Sequence, residues 1–193
     1  MICTVPCINF DMSLRFDERK ATEAAARFLQ LRGGTMHYLK LIKLLYLADR
    51  RALSQWGYPI TTDRYVSMDH GPVTSRIYNL IVDEVPKPFW SQYISAPRDY
   101  QVSLLQEAPN DRLSRAEENL IKQVFNEFGH MNRWAIVDYL HTLPEWRDPQ
   151  HSSIPIHVRE ILEANGLSSE EIDAILRELH AEAAAQEVLQ EAV

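Results

Sequence analysis

Asp69 and His70 stand side by side in the segment YVSMDHGPVTSRIY (residues 65–78), followed by Gly71-Pro72 and then by Ser75 and Arg76. A carboxylate beside an imidazole is acid–base chemistry in outline, because the carboxylate can orient the ring and stabilise its proton. A second carboxylate, Asp49, lies where one is costly. In the segment LKLIKLLYLADRRALSQW (residues 39–56) a helix advances by about 100° per residue. Leu41, Ile42, Leu45, Ala52, Leu53 and Trp56 then share one side, and Lys40, Lys43, Arg50, Arg51 and Ser54 the other. Asp49 falls in the middle of the apolar side. A carboxylate among core positions must be paired, hydrogen-bonded or neutralised.

Two readings of Asp49 follow. It could be a catalytic acid or base of shifted pKa working with His70. Alternatively, it accepts hydrogen bonds from the segment that folds against its helix, whose donors are His70, the N–H groups near Val73, Ser75 and Arg76. The residues favour the second reading, because no further groups complete a reaction centre. Gly71 then permits a sharp turn and Pro72 opens the next helix. The expectation is a structural clasp of Asp49, His70, Gly71, Pro72, Ser75 and Arg76 that ties two helices together.

Other chemistries find little support. The chain has no G-x-S-x-G elbow, phosphate-binding glycine loop, dinucleotide fingerprint or His-Glu-x-x-His pair. No catalytic, cofactor-binding or metal-ligating residue is assigned. Cys3 and Cys7 are four apart, but two further ligands of matching spacing are missing. His141, His151 and His157 have spacings of ten and six, which match no metal template. Among the tryptophans, Trp134 follows a helix cap and is expected in the core. Trp90 and Trp146 lie in Pro-rich stretches and are expected to be partly exposed. With Phe89 and Tyr93 they are the candidate partner-binding anchors, plain packing being the alternative.

Helices must position these groups. Asp17 is placed to cap a helix to about Leu31, stopped by Gly33-Gly34. Thr35 is expected to cap the Asp49 helix, which Gly57 closes. Strand character follows at residues 63–68, then a helix from Pro72 or Val73 to about Asp83. Residues 89–95 and 100–106 read as a short hairpin that could pair with the strand near Tyr65. Ser114 to Glu117 is a capping box for a helix ending at Gly129, and Asn132 caps another. A helix is expected from about Pro155 to Ala164. Ser168 to Glu171 starts a last, acidic helix whose end frays. The fold class is mainly α (α+β): six to seven helices with a small antiparallel sheet or hairpin. Residues 1–14 read as a ragged leader in which Met12 could be the start, 15–180 as one domain and 181–193 as an acidic helical tail.

Charge sharpens the class. Residues 160–193 hold nine acidic side chains against Arg177, a balance of −8, while residues 1–159 carry +1. Nucleic-acid binding through phosphates needs a clustered basic surface, which a neutral body does not supply. No stretch approaches the roughly 18 apolar residues of a membrane span, and residues 1–14 lack the pattern of a signal peptide. A cytoplasmic protein is expected.

The ordered segments LKLIKLLYLADRRALSQWGYPIT, YVSMDHGPVTSRIYNLI, LSRAEENLIKQVFNEFG, VDYLHTLPEW and ILEANGLSSEEIDAI resemble the Panacea domain, the SocA-like antitoxin family. The resemblance runs from about Phe16 to Leu179. One departure is His70, where the family more often carries an aromatic residue. The resemblance implies a mainly helical domain with a small sheet, no catalytic residues, and a phage-associated antitoxin that binds a cognate toxin encoded nearby. It also implies the alternative of a proteolytic adaptor, with a protease as further partner; a transcriptional regulator acting through protein or weak DNA binding is a further alternative. A homodimer is left open.

Overall fold

The computed structural model describes residues 14–83 and 87–191, so the leader with Cys3 and Cys7 lies outside the described residues. The chain is mainly α with two small antiparallel sheets. Asp17 caps α1 (Glu18–Arg32), its Oδ1 accepting the N–H of Arg19 at 2.9 Å and of Lys20 at 3.1 Å. Gly33 and Gly34 follow at φ 93° and 98°. Two left-handed residues in a row reverse the chain, and it leaves as a strand, β1 (Thr35–His37), rather than as a helix. Thr35 therefore does not cap α2 (Tyr38–Trp56). His37 does, its Nδ1 accepting the N–H of Leu39 at 3.2 Å, and Gly57 ends the helix at φ 70°.

The Gly-Pro pair also departs from expectation. Gly71 and Pro72 belong to a strand, β3 (Gly71–Thr74), which folds back on β2 (Tyr65–Met68) through Asp69-His70. Pro72 faces Ser67, and β3 is the edge of the order β3-β2-β5, where a residue without an N–H is tolerated. The helix α3 (Ser75–Val82) starts three residues later than Pro72 suggests. On the other side of β2 lies β5 (Ile154–Ile156), so Pro155 is likewise a strand residue and not a helix start.

The expected hairpin forms in part. Its first arm opens as a single helical turn, α4 (Trp90–Tyr93), because the Glu18 carboxylate of α1 accepts the N–H groups of Phe89 at 3.1 Å and Trp90 at 2.9 Å. Its second arm is β4 (Gln101–Ser103), linked to the first by the Ile94–Leu104 bridge. β4 pairs with β1 and not with the strand near Tyr65: Met36 faces Val102.

The later helices follow their signals. Ser114 and Glu117 form the capping box of α5 (Arg115–Phe128), and Asn132 caps α6 (Arg133–Leu140). After α7 (Val158–Ala164), Ser168 and Glu171 exchange backbone bonds of 2.8 and 3.3 Å and open α8 (Ser169–Glu191). Residues 181–191, expected as part of a tail, continue α8 without a break. None of the described helices is long and apolar enough to cross a membrane.

α2 is the axis of the molecule, touching α1, α3, α5, α6, α7, β1 and β3. Its leucines and isoleucine at 41, 42, 44, 45 and 53 join Phe28, Leu29, Ile77, Leu120, Ile121, Ile136 and Ile161 in one core. A helix surrounded in this way has no broad solvent side. That decides where its charged residues go.

Candidate functional site

Asp49 is fully buried, as its place on the wheel requires, and four donors satisfy it. Oδ1 accepts the N–H of Ile60 and of Thr61, both at 2.9 Å; Oδ2 accepts the hydroxyls of Thr61 and, at 3.0 Å, of Tyr65. The donors thus come from residues 60–65 and not from the 70–76 segment. The reason is chain length: after Gly57 the backbone doubles back at once, and its N–H groups at Ile60 and Thr61 meet α2 about two turns before its end. Burial lifts the Asp49 pKa to about 6 against the pull of these hydrogen bonds.

The 70–76 segment is held by other groups. The Lys43 ammonium, fully buried, donates to the carbonyls of Gly71 at 2.8 Å and Pro72 at 2.7 Å. Desolvation lowers its pKa to about 7. Asp63 accepts the N–H groups of Arg64 at 2.6 Å and of Arg76 and Ile77 at 2.9 Å. It stands at the start of α3, where Thr74 supplies no side-chain cap, so a remote carboxylate does the capping. Burial lifts its pKa to about 7. Ser75 donates its N–H to the Arg64 carbonyl, and the Arg76 guanidinium lies 5.6 Å from the Phe16 ring centre. His70 turns outward, edge-on to Trp134 at 5.5 Å.

Lys40 and Lys43, read from the wheel as a polar side, are buried. The Lys40 ammonium donates to the carbonyls of Gly129 and Met131, each at 2.6 Å. Further along α2, Arg50 Nε donates to Glu145 at 2.6 Å, Arg50 Nη1 to Asn165 at 2.9 Å, and the Tyr46 hydroxyl to Glu145 at 2.8 Å. These side chains of α2 therefore hold several parts of the chain: Lys40 the end of α5, Lys43 β3, Asp49 the 60–65 segment, and Tyr46 with Arg50 the stretch before β5. Their hydrogen-bonding capacity is directed at the protein's own backbone and side chains. The sequence reading missed Asp63, Glu145 and the burial of both lysines. Asp63, in TTDRY just before a strand, carried a weak signal; the partners of the others are remote.

The aromatic residues divide differently from expectation. Trp90 is fully buried and presents no partner-binding surface, since α4 turns its ring onto α1. Phe89 and Tyr93 lie 5.0 Å apart between ring centres, with the Arg19 guanidinium over Phe89 at 4.9 Å. Trp134, expected in the core, is 49% exposed. The wheel contains the reason: Ile136, Val137 and Leu140 define the buried side of α6, and Trp134 points about a third of a turn away.

Trp134 is part of a series of ring groups, the first two brought together by Arg133. Tyr100, 66% exposed, stacks on His37 at 5.8 Å and lies 6.2 Å from Tyr38. Burial, and secondarily the nearby Arg133 charge, hold the His37 pKa down, and Arg133 lies 5.2 Å from the Trp134 ring centre. His70 follows, then His141, stacked on Trp146 at 4.1 Å. The Trp146 indole N–H donates to the Met68 carbonyl at 3.2 Å, and Asp69 beyond it pairs with the exposed His151 at 3.0 Å. His141 and His151 thus share one surface. Among the described residues no group of three or more His, Cys, Asp or Glu is placed to hold a metal ion.

Comparison with known proteins places this arrangement. The family model described as "Antitoxin SocA-like, Panacea domain" matches residues 41–147, from within α2 to Arg147 just beyond Trp146. The matched stretch is shorter than the resemblance read from the sequence, and it holds Lys43, Asp49, Asp63, Glu145 and the hairpin they secure. No curated protein and no solved structure matches the chain. With more than half of its length matched, the chain belongs to the SocA-like antitoxin family through its Panacea domain.

Proposed function

We propose that this protein is an antitoxin of a toxin–antitoxin system, neutralising a cognate toxin encoded nearby by direct protein–protein binding in the cytoplasm. Membership of the SocA-like antitoxin family carries the reading. The surface supports it: Tyr100 and Trp134 are exposed, and large amphipathic rings are the side chains that most often anchor protein interfaces. Neutralisation on this reading is occlusion and not chemistry, consistent with Asp49, Asp63 and Lys43 spending their hydrogen bonds on the protein's own backbone.

The test is co-expression with the product of the adjacent gene. Alone, that product should arrest growth; with this protein, growth should return and the two should co-purify. A harmless neighbour, or one still toxic in the presence of this protein, overturns the reading. Protection that disappears in cells lacking a particular protease would instead make the protein an adaptor.

A further inference from the structure

The run of rings has a definite place and charge. It lies around the N-terminal end of α2, where His37 and Tyr38 begin the helix. The acidic α8 docks at the opposite end, where a Cβ on Gly57 would meet Ile175 at 3.0 Å. Nineteen helical residues separate the two ends by about 28 Å. The part of α8 around Ile175 is thus held away from the strip. Acids near the strip include Asp99, next to Tyr100 in the chain, Asp138 beside His141, and Asp69, which is bound to His151. At its centre Arg133 rests on Trp134 and has no carboxylate partner among the described residues.

The composition Tyr, Trp, His and Arg is that of an interface core, in which rigid rings provide contact area at small entropic cost. Within the strip His37 stacks on Tyr100 at 5.8 Å, Tyr38 lies 6.2 Å from Tyr100 and His70 meets Trp134 at 5.5 Å, so these rings are organised before any partner arrives. Arg133 is exposed, and a partner that covered the patch would have to offer its guanidinium an anionic group.

We propose that the strip Tyr100–His37–Tyr38–Arg133–Trp134–His70 is the toxin-docking face, and that its occupant is a loop of the toxin bearing apolar side chains around a carboxylate. The carboxylate meets Arg133 in a charge-assisted pair, and the apolar groups cover Tyr100 and Trp134. The proposal rests on the antitoxin reading above. Nucleic acid is the less favoured occupant, because the body carries a balance of only +1 and a phosphate backbone requires several cations in register.

The experiment measures binding of the purified full chain to the purified product of the adjacent gene, together with protection in cells. Trp134→Ala and Tyr100→Ala should each weaken binding by about 30-fold or more, the effect of removing an interface anchor. Arg133→Glu should slow association and reverse its salt dependence. Trp56→Ala, at the far end of α2, and Phe89→Ala should bind as the wild type does. Circular dichroism should show all of these variants folded, since the replaced side chains are at least partly exposed. If the wild type protects and the Trp134→Ala/Tyr100→Ala double variant protects equally, the antitoxin reading survives and this face is overturned. If the wild type forms no complex, both proposals fall. A self-association broken by Trp134→Ala, with toxin binding unchanged, would make a second copy the occupant and overturn the assignment. Retention of single-stranded poly-U RNA that depends on Trp134, with toxin binding unaffected, would do the same.

Discussion

The polar side chains of α2 and the ring-bearing strip at its N-terminal end use similar residue types to opposite ends. Lys40, Lys43, Asp49 and Arg50 are ionisable groups drawn into the interior, each consumed by backbone or side-chain partners of the same chain. His37, Tyr100, Arg133, Trp134 and His70 are rings and a cation left at the surface, touching mainly one another. The first region trades desolvation for the positioning of loops; the second leaves contact area uncommitted. Changes in the interior should therefore appear as lost stability, and changes on the strip as lost binding.

The largest break in that contrast should come from Asp49→Ala. It strands the N–H groups of Ile60 and Thr61 and the hydroxyls of Thr61 and Tyr65, all buried, and should cost about 3–5 kcal/mol in urea unfolding. Asp49→Asn should cost less, because one amide oxygen still accepts. Neither variant that remains folded should show weakened toxin binding. A folded Asp49→Asn that binds poorly would erase the distinction between the two regions.

Next in size is a pH dependence confined to the interior, a few kcal/mol across its whole range. Folded Asp49 and Asp63 hold their protons more tightly than the unfolded chain does, with pKa values of about 6 and about 7 against 3.8. Their contribution is fully present below pH 3.8 and is lost as the pH rises through 6 and 7. Lys43 holds its proton less tightly than the unfolded chain, at about 7 against 10.5, so its contribution grows as the pH rises from 7 to 10.5. Stability from these groups should pass through a minimum near neutrality. Asp63→Asn should flatten the acid limb and Lys43→Met the alkaline one, as read by thermal melts.

Lys43→Met at fixed neutral pH should cost about 2 kcal/mol, because the carbonyls of Gly71 and Pro72 lose their donor inside the protein. Gly71→Ala should cost about 1–2 kcal/mol, since Gly71 has φ 89° and a new Cβ would sit 3.3 Å from Leu140 Cβ. The smallest effect belongs to the strip: Trp134→Ala should change stability by no more than about 0.5 kcal/mol, whatever it does to binding. A larger loss would mean that the strip is packing and not surface.

Much of the framework was legible in local signals. Asp17, Ser114-Glu117, Asn132 and Ser168-Glu171 mark helix starts because a cap is satisfied within three residues of its own position. Gly33 and Gly57 mark ends because a left-handed residue needs no partner elsewhere. Thr35, Pro72 and Pro155 misled for a shared reason. Each suits a helix start locally, yet each is held in a strand by a ladder: to Ser103 and to β2, both distant, for Thr35 and Pro155, and to β2 across a two-residue turn for Pro72. Trp134 was legible in principle, since its angle on α6 was computable, but its position after a cap suggested the core.

By itself the sequence determined that Asp49 must be buried and satisfied, that the chain is mainly helical, and to which family it belongs. Only the tertiary structure decided which donors reach Asp49, that Lys40 and Lys43 lie inside, and that His37, Tyr100 and Trp134 form one surface with His70. Burial of a carboxylate on an apolar stripe follows from helical periodicity, a local property. The partner of a buried charge and the neighbours of an exposed ring are set by segments 11 to 99 residues away, whose approach depends on how α2 is enclosed.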